Sequence, residues 1–185
     1  MQDIGQEDKD LYRNFLNGDE EAFETIVDKY AEKLIYFIFG FVKDIEVAKD
    51  LSQDVFVYIY TKKKDYDFKY SLKTYLFVIG KSRAKNYLKK ESKNVKLVDE
   101  VLYRSELLVD IEEEVLKNIN KEKLRDIILN FKNGIILYLI DIEELSYEET
   151  AKVLGKTVGQ IRNQLYRLRK KLKENLLKEE ERYVW

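Results

Sequence analysis

Gln160, Asn163 and Arg167 recur at steps of three and four within GKTVGQIRNQLYRLRKKL, residues 155–172. Side-chain amides can pair with base edges, and a guanidinium can grip guanine or phosphate. Arg162, Tyr166, Arg169, Lys170 and Lys171 surround them, and Gly159 lies just inside the start of the segment. A glycine there lets a phosphate come close to the backbone N–H groups of a helix N-terminus. At 100° per residue, Val158, Ile161, Leu165, Leu168 and Leu172 share one face. Gly159, Gln160, Asn163, Tyr166, Arg167 and Lys170 share the other, with Arg162 and Arg169 on its flanks. The expected chemistry is recognition of a DNA major groove rather than bond breaking.

Such a helix has to be held at a fixed angle, and the residues before it supply the means. Ser146 followed by Glu149 is a capping box that opens a short helix carrying Ala151, Val153 and Leu154. Gly155 ends that helix where a left-handed residue is needed. Thr157 with Gln160 forms a second capping box two residues on. Helix, glycine turn and capped helix make a helix-turn-helix. The rival reading is a charged outer helix of a bundle, and two successive capping boxes around a glycine weigh against it.

A second group of residues lies in TKKKDYDFKYSLKTYLFVIGKSRAKNYLKK, residues 61–90. Lys62, Lys63, Lys64, Lys69 and Lys73 alternate with Tyr66, Phe68, Tyr70 and Tyr75, and Lys81 and Lys85 follow. Lysines attract phosphate, and aromatic faces stack on unpaired bases for about 1–3 kcal/mol each. Duplex binding alone does not require the aromatics, so this mixture suits melted nucleic acid. Tyr75 and Tyr87 are expected in the core instead.

Just upstream, EVAKDLSQDVFVYIY sets Asp50, Gln53, Asp54 and Val57 on one helical face. An acidic patch repels phosphate, which leaves a protein partner or a merely solvated surface. Catalysis is not expected. The chain has no histidine and no cysteine, which removes the commonest general base, thiolate chemistry and sulfur ligation of metals. A metal-dependent nuclease would need converging carboxylates, and no second acidic cluster has ligand spacing.

Charge is segregated along the chain. Six basic against fourteen acidic residues give −8 over residues 1–60, and twelve against three give +9 over 61–96. Residues 97–150 return to −8, and 151–185 carry +6, so the net of −1 conceals two cationic zones. No run of about eighteen apolar residues occurs, and the N-terminus is polar, so neither a membrane span nor a signal peptide is expected. That points to a cytoplasmic protein.

With no proline and only seven glycines, the chain is expected to be all-α. Asp19 is an N-cap candidate for a helix carrying Phe23, Ile26, Val27, Tyr30, Leu34, Phe37, Ile38 and Phe41 inward. A second helix is expected from about Ile45 to Thr61, and a third from about Leu72 to Lys90. Periodicity weakens from Ser92 to Asp110, a helix resumes from Ile111 to Asn130, and another covers 134–142.

These segments resemble, in order and spacing, the sigma-70 family of bacterial transcription initiation factors. The likeness is to the small extracytoplasmic-function (ECF) type and runs from about Leu11 to Leu177. AKDLSQDVF is similar to the family's A-x-D-L-x-Q-E-V-F, and TYLFVIGKSRAKNYLKK to its W-L-Y-R-I-A-x-N-x-A-x-x-Y-L-R-R. LSYEETAKVLGKTVGQIRNQLYRLRKKL is similar to the region 4 pattern almost position by position. The chain departs from the family at several places. Tyr75 replaces Trp, Val78 replaces Arg, Asn130 replaces Pro and Glu144 replaces Gly in E-G-L-S-Y. Gln160, Asn163 and Gln164 stand where Thr, Ser and Arg are common, so no standard promoter sequence transfers.

The resemblance implies two small helical domains: region 2 over 1–92, a linker over 93–110, and a region 4 helix-turn-helix over 111–185. Asp50, Gln53, Asp54 and Phe56 would meet the clamp helices of core RNA polymerase. Lys62, Lys63, Lys64, Tyr66, Phe68, Lys69, Tyr70, Lys73, Lys81 and Lys85 would recognise the −10 element and melted promoter DNA. Thr157, Gly159, Gln160, Arg162, Asn163, Tyr166, Arg167 and Lys170 would enter the −35 element. No cofactor is implied. An anti-sigma factor, often membrane-anchored, is a further expected partner. A stand-alone helix-turn-helix regulator is the alternative function, and it needs neither the acidic face nor the Lys/aromatic loop. The terminal RYVW, with the only tryptophan, lies beyond the pattern and either docks or frays.

Overall fold

The computed structural model describes residues 4–93, 125 and 128–180, and these fall into two compact units. The expected linker over 93–110, the part of the expected 111–130 helix at 111–124 and 126–127, and the terminal RYVW lie outside the described residues, Lys93 excepted. All regular structure among the described residues is helical.

The first unit contains α1 (Ile4–Leu16), α2 (Glu20–Val42), α3 (Ile45–Thr61) and α4 (Leu72–Lys93). Asp19 caps α2 by accepting from the Ala22 N–H at 3.2 Å, and Asp44 caps α3 by accepting from Glu46 and Val47. Each cap satisfies N–H groups that have no intrahelical partner. α2 packs on α1, α3 and α4, and α3 and α4 pack on each other. Ile26, Tyr30, Leu34, Phe37 and Ile38 of α2 are fully buried against Val55, Ile59, Leu72, Leu76 and Phe77. Phe37 and Phe77 stack at 4.6 Å between centroids. Gly80 permits the approach of α4 to α2, because a Cβ there would lie 2.8 Å from Leu34 Cδ1.

α1 is fastened by a buried polar pair. Asp8, 4% exposed, accepts hydrogen bonds from Lys29 Nζ at 2.6 Å and from the Tyr30 hydroxyl. A carboxylate is tolerated at this depth because charged and neutral donors both reach it.

The second unit contains α5 (Ile135–Leu137), which runs on as a π-helical turn over Tyr138–Ile142, then α6 (Tyr147–Leu154) and α7 (Val158–Glu180). The continuous helix expected over 134–142 is thus widened in its second half. The Glu143 N–H bonds to Tyr138 O at 2.9 Å, five residues back, and buried Glu143 accepts from the Tyr138 hydroxyl at 2.9 Å. α5 packs on α7. Ile136, Leu137, Leu139, Leu145, Ala151, Ile161, Leu165 and Leu168 are among the buried apolar residues of this unit.

Candidate nucleic-acid interface

Both expected capping boxes are present at atomic detail. Ser146 Oγ accepts from the Glu149 N–H at 3.1 Å, and Glu149 Oε2 accepts from the Ser146 N–H at 3.2 Å. The Gln160 N–H donates to Thr157 Oγ1 at 3.2 Å, and the Thr157 N–H donates to Gln160 Oε1 at 2.9 Å. Gly155 between them has φ +63°, the left-handed turn that a Cβ disfavours. The first box fixes where α6 starts, and Gly155 with the second box shapes the turn from α6 into α7.

The face of α7 that results is the expected one. Ile161, Leu165 and Leu168 are buried, and Val158 and Leu172 are half-buried. Thr157, Gly159, Gln160, Arg162, Asn163, Tyr166, Arg167 and Lys170 are all exposed, Tyr166 at 72%. A Cβ built on Gly159 meets nothing nearer than Thr157 Oγ1 at 4.0 Å. Packing among the described residues therefore does not require the glycine, whereas an approaching phosphate would benefit from it.

Three contacts refine this face. The Gln160 carbonyl oxygen accepts the cap hydrogen bond, which leaves its amide N–H groups to offer to a base edge. Arg162 lies with its guanidinium 5.3 Å from the Tyr147 ring centroid. Arg169 is drawn aside to Asp141 of the π turn, at 2.5 Å.

Two stretches of the chain match models of one family. The model described as Sigma-70 region 2 matches residues 26–94, and the one described as Sigma-70, region 4 matches residues 129–172. Together they cover well over half of the chain, in family order. The chain belongs to the sigma-70 family. RNA polymerase sigma factor YlaC of Bacillus subtilis is 29% identical over 171 residues, covering 88% of this chain and 97% of that one. ECF RNA polymerase sigma factor SigW of the same organism is 25% identical over 173 residues, covering 86% and 91%. The sigma factor RpoE of Bartonella quintana, solved with the anti-sigma factor NepR, has the same fold. Its TM-score is 0.62 at 21% identity, over 82% of this chain and 94% of that one.

In region 2, the α3 face forms as expected. Asp50, Gln53 and Asp54 are exposed, and Val57 is 61% exposed beside them. Phe56 differs from the expectation. It is 7% exposed and belongs to the core, so it supports the face from behind rather than lining it. Tyr60, 47% exposed and one turn beyond Val57, extends the surface and was not expected there. Its ring rests on Phe23 at 5.1 Å and its hydroxyl reaches Glu20 at 3.4 Å. The step of three from Val57 was the available signal.

The Lys/aromatic segment between α3 and α4 starts with a 3-10 turn over Lys63–Asp65. Lys62, Lys64, Lys69 and Lys85 are exposed, and Lys63, Lys73 and Lys81 are half-buried. The aromatics divide differently from the expectation. Tyr66 is 3% exposed, donates to Tyr70 O at 2.7 Å and stacks on Tyr75 at 4.9 Å. A ring enclosed in this way has no face left for a base. Phe68, Tyr70, Tyr75 and Tyr87 are half-buried. Burial, reinforced by neighbouring carboxylates, pushes the Tyr66 phenol up to about 12. Burial likewise raises Tyr75 to about 12, helped by Tyr58 and Asp65, so both remain neutral hydroxyls.

Among the described residues, no group of three or more acidic side chains is placed to hold a metal ion. No helix among them is long and apolar enough to cross a membrane.

Proposed function

We propose that this chain is an ECF-type sigma factor that binds core RNA polymerase and directs it to promoters. It would recognise −10 and −35 elements and help separate the strands. The observation that carries the reading is the outward face of α7, set by two capping boxes and a left-handed glycine. A family match on both region 2 and region 4 supports it. Catalysis would belong to the polymerase, and the chain would act beside it in the cytoplasm.

Residue roles follow from exposure. Asp50, Gln53 and Asp54, with Val57 and Tyr60, would contact the polymerase, and Phe56 would hold that face in shape. Lys62, Lys64 and Lys69 would meet the −10 strand, with Lys63, Lys73, Lys81 and Lys85 adding positive potential and Phe68 and Tyr70 offering partly open rings. Thr157, Gly159, Gln160, Arg162, Asn163, Tyr166, Arg167 and Lys170 would enter the −35 major groove. The division into region 2 over 1–92, linker over 93–110 and region 4 over 111–185 belongs to the same proposal. An anti-sigma factor, possibly one tied to the membrane, would be the regulator, as a protein of this fold was solved with one. A stand-alone regulator would leave the acidic α3 face and the lysine loop without a task.

Core polymerase with this chain should protect and transcribe a defined promoter set, and no gain over core alone would refute the reading. Asp50→Lys with Asp54→Lys should abolish assembly with core while leaving the melting temperature unchanged, because both side chains are exposed.

A further inference from the structure

α1 ends before the matched region 2 begins at residue 26, yet it touches the Lys/aromatic loop at several points. Tyr12, fully buried, donates its hydroxyl to Lys63 O at 3.0 Å. Its ring meets Tyr66 edge-on at 4.8 Å and Phe68 edge-on at 5.9 Å between centroids. Phe68 itself has φ +59°, which a bulky residue adopts only when its surroundings hold it there. The Arg13 guanidinium lies 5.4 Å from the centre of the Phe68 ring, on the same helix as Tyr12. Returning from the loop, Lys63 Nζ reaches Phe15 O at 3.4 Å and the Phe15 ring at 5.1 Å. At the other end of α1, Asp8 ties the helix to Lys29 and Tyr30 of α2.

We propose that Tyr12 is a positioning residue for strand opening: it fixes the backbone at Lys63 and the strained turn at Phe68, so that Lys62, Lys64 and Lys69 stay on the DNA-facing side. The inference rests on the reading of this loop as the −10 surface. Tyr12 is itself fully buried and touches no DNA. Its hydroxyl is the only atom that Tyr12→Phe removes, so the ring packing survives that substitution while the hold on Lys63 O is lost. Burial keeps the phenol protonated well above its ordinary range, so the hydroxyl is available as a donor at neutral pH.

The test uses core RNA polymerase assembled with the full chain as wild type, as Tyr12→Phe, or as the Lys62→Ala, Lys64→Ala, Lys69→Ala triple variant. The probe is a forked DNA with an unpaired non-template strand, cut from a promoter that the wild type protects, beside a duplex carrying only its upstream half. Tyr12→Phe is expected to weaken forked-probe binding and permanganate reactivity of promoter thymines by about three- to tenfold. Core assembly and upstream-duplex binding should not change. Unchanged forked-probe binding by Tyr12→Phe, with a loss in the triple variant, overturns the positioning role and leaves the loop's function standing. An equal loss of core assembly, duplex and forked binding by Tyr12→Phe makes Tyr12 merely structural and overturns the proposal. An unaffected triple variant refutes the −10 reading of the loop, and the positioning role with it.

Discussion

Arg169 of α7 and Asp141 of the π-helical turn form an ion pair at 2.5 Å that pulls one arginine of the basic helix away from its outer face. Both side chains are substantially exposed, so the pair contributes no more than about 1 kcal/mol to stability. Its larger effect is on how the cationic groups are distributed. Arg167, two residues back, is exposed and stands among the outward residues. Arg167→Ala should therefore reduce the slope of log affinity against log salt for promoter duplex by about one, and Arg169→Ala should change it much less. Equal slopes for the two variants would show that the ion pair opens on DNA.

Gly159 separates binding from stability. Nothing among the described residues occupies the space that its Cβ would fill, and alanine is the better helix former by up to about 1 kcal/mol at an interior position. Gly159→Ala is expected to hold or raise the thermal midpoint while weakening −35 duplex binding in a mobility-shift titration. A variant that binds as well as the parent would exclude close approach of phosphate to this backbone.

Glu144 stands where the family commonly has glycine, and its φ of +56° explains that preference. A left-handed residue with a Cβ costs roughly 1–2 kcal/mol, partly offset because glycine has more freedom to lose on folding. In urea titrations Glu144→Gly should raise the unfolding free energy slightly, and Glu144→Val should lower it by more than about 1 kcal/mol, since β-branching worsens the clash.

Alkaline stability should depend on the tyrosines under the loop. Burial pushes Tyr66 and Tyr75 from 10.0 to about 12, and pushes Tyr12 up as well. The unfolded chain therefore releases these protons first as pH rises. Their contribution is fully present below pH 10.0 and is lost as pH climbs through about 12. Urea midpoints measured across this window should fall, and Tyr66→Phe should make the fall shallower.

Much of region 4 could be read directly from the residues. The Ser146–Glu149 and Thr157–Gln160 boxes, Gly155 and the Ile161, Leu165, Leu168 stripe all act within a turn or two of chain, and each appears where expected. Asp19, and the span from Ile45 to Thr61, were legible for the same reason. The outer faces of α3 and α7 follow from these stripes, because once the apolar side is buried the opposite side must meet solvent.

What helical period could not supply was the outcome of contacts between distant residues. The family resemblance put Phe56 at a binding surface and the lysine/aromatic alternation put Tyr66 at one, whereas packing encloses both rings. The local pattern read 134–142 as one helix, whereas the Tyr138–Glu143 bond accompanies a π turn that sets Asp141 beside Arg169. Nor did it give α1 a task, because the partners of Asp8 and Tyr12 lie more than twenty and more than fifty residues away. The sequence by itself determined which helices form, how they are capped and which side of each is wet, since those depend on neighbours within one turn. Only the tertiary structure decided which aromatic rings are sealed and which cations remain displayed, since those depend on what other helices bring against them.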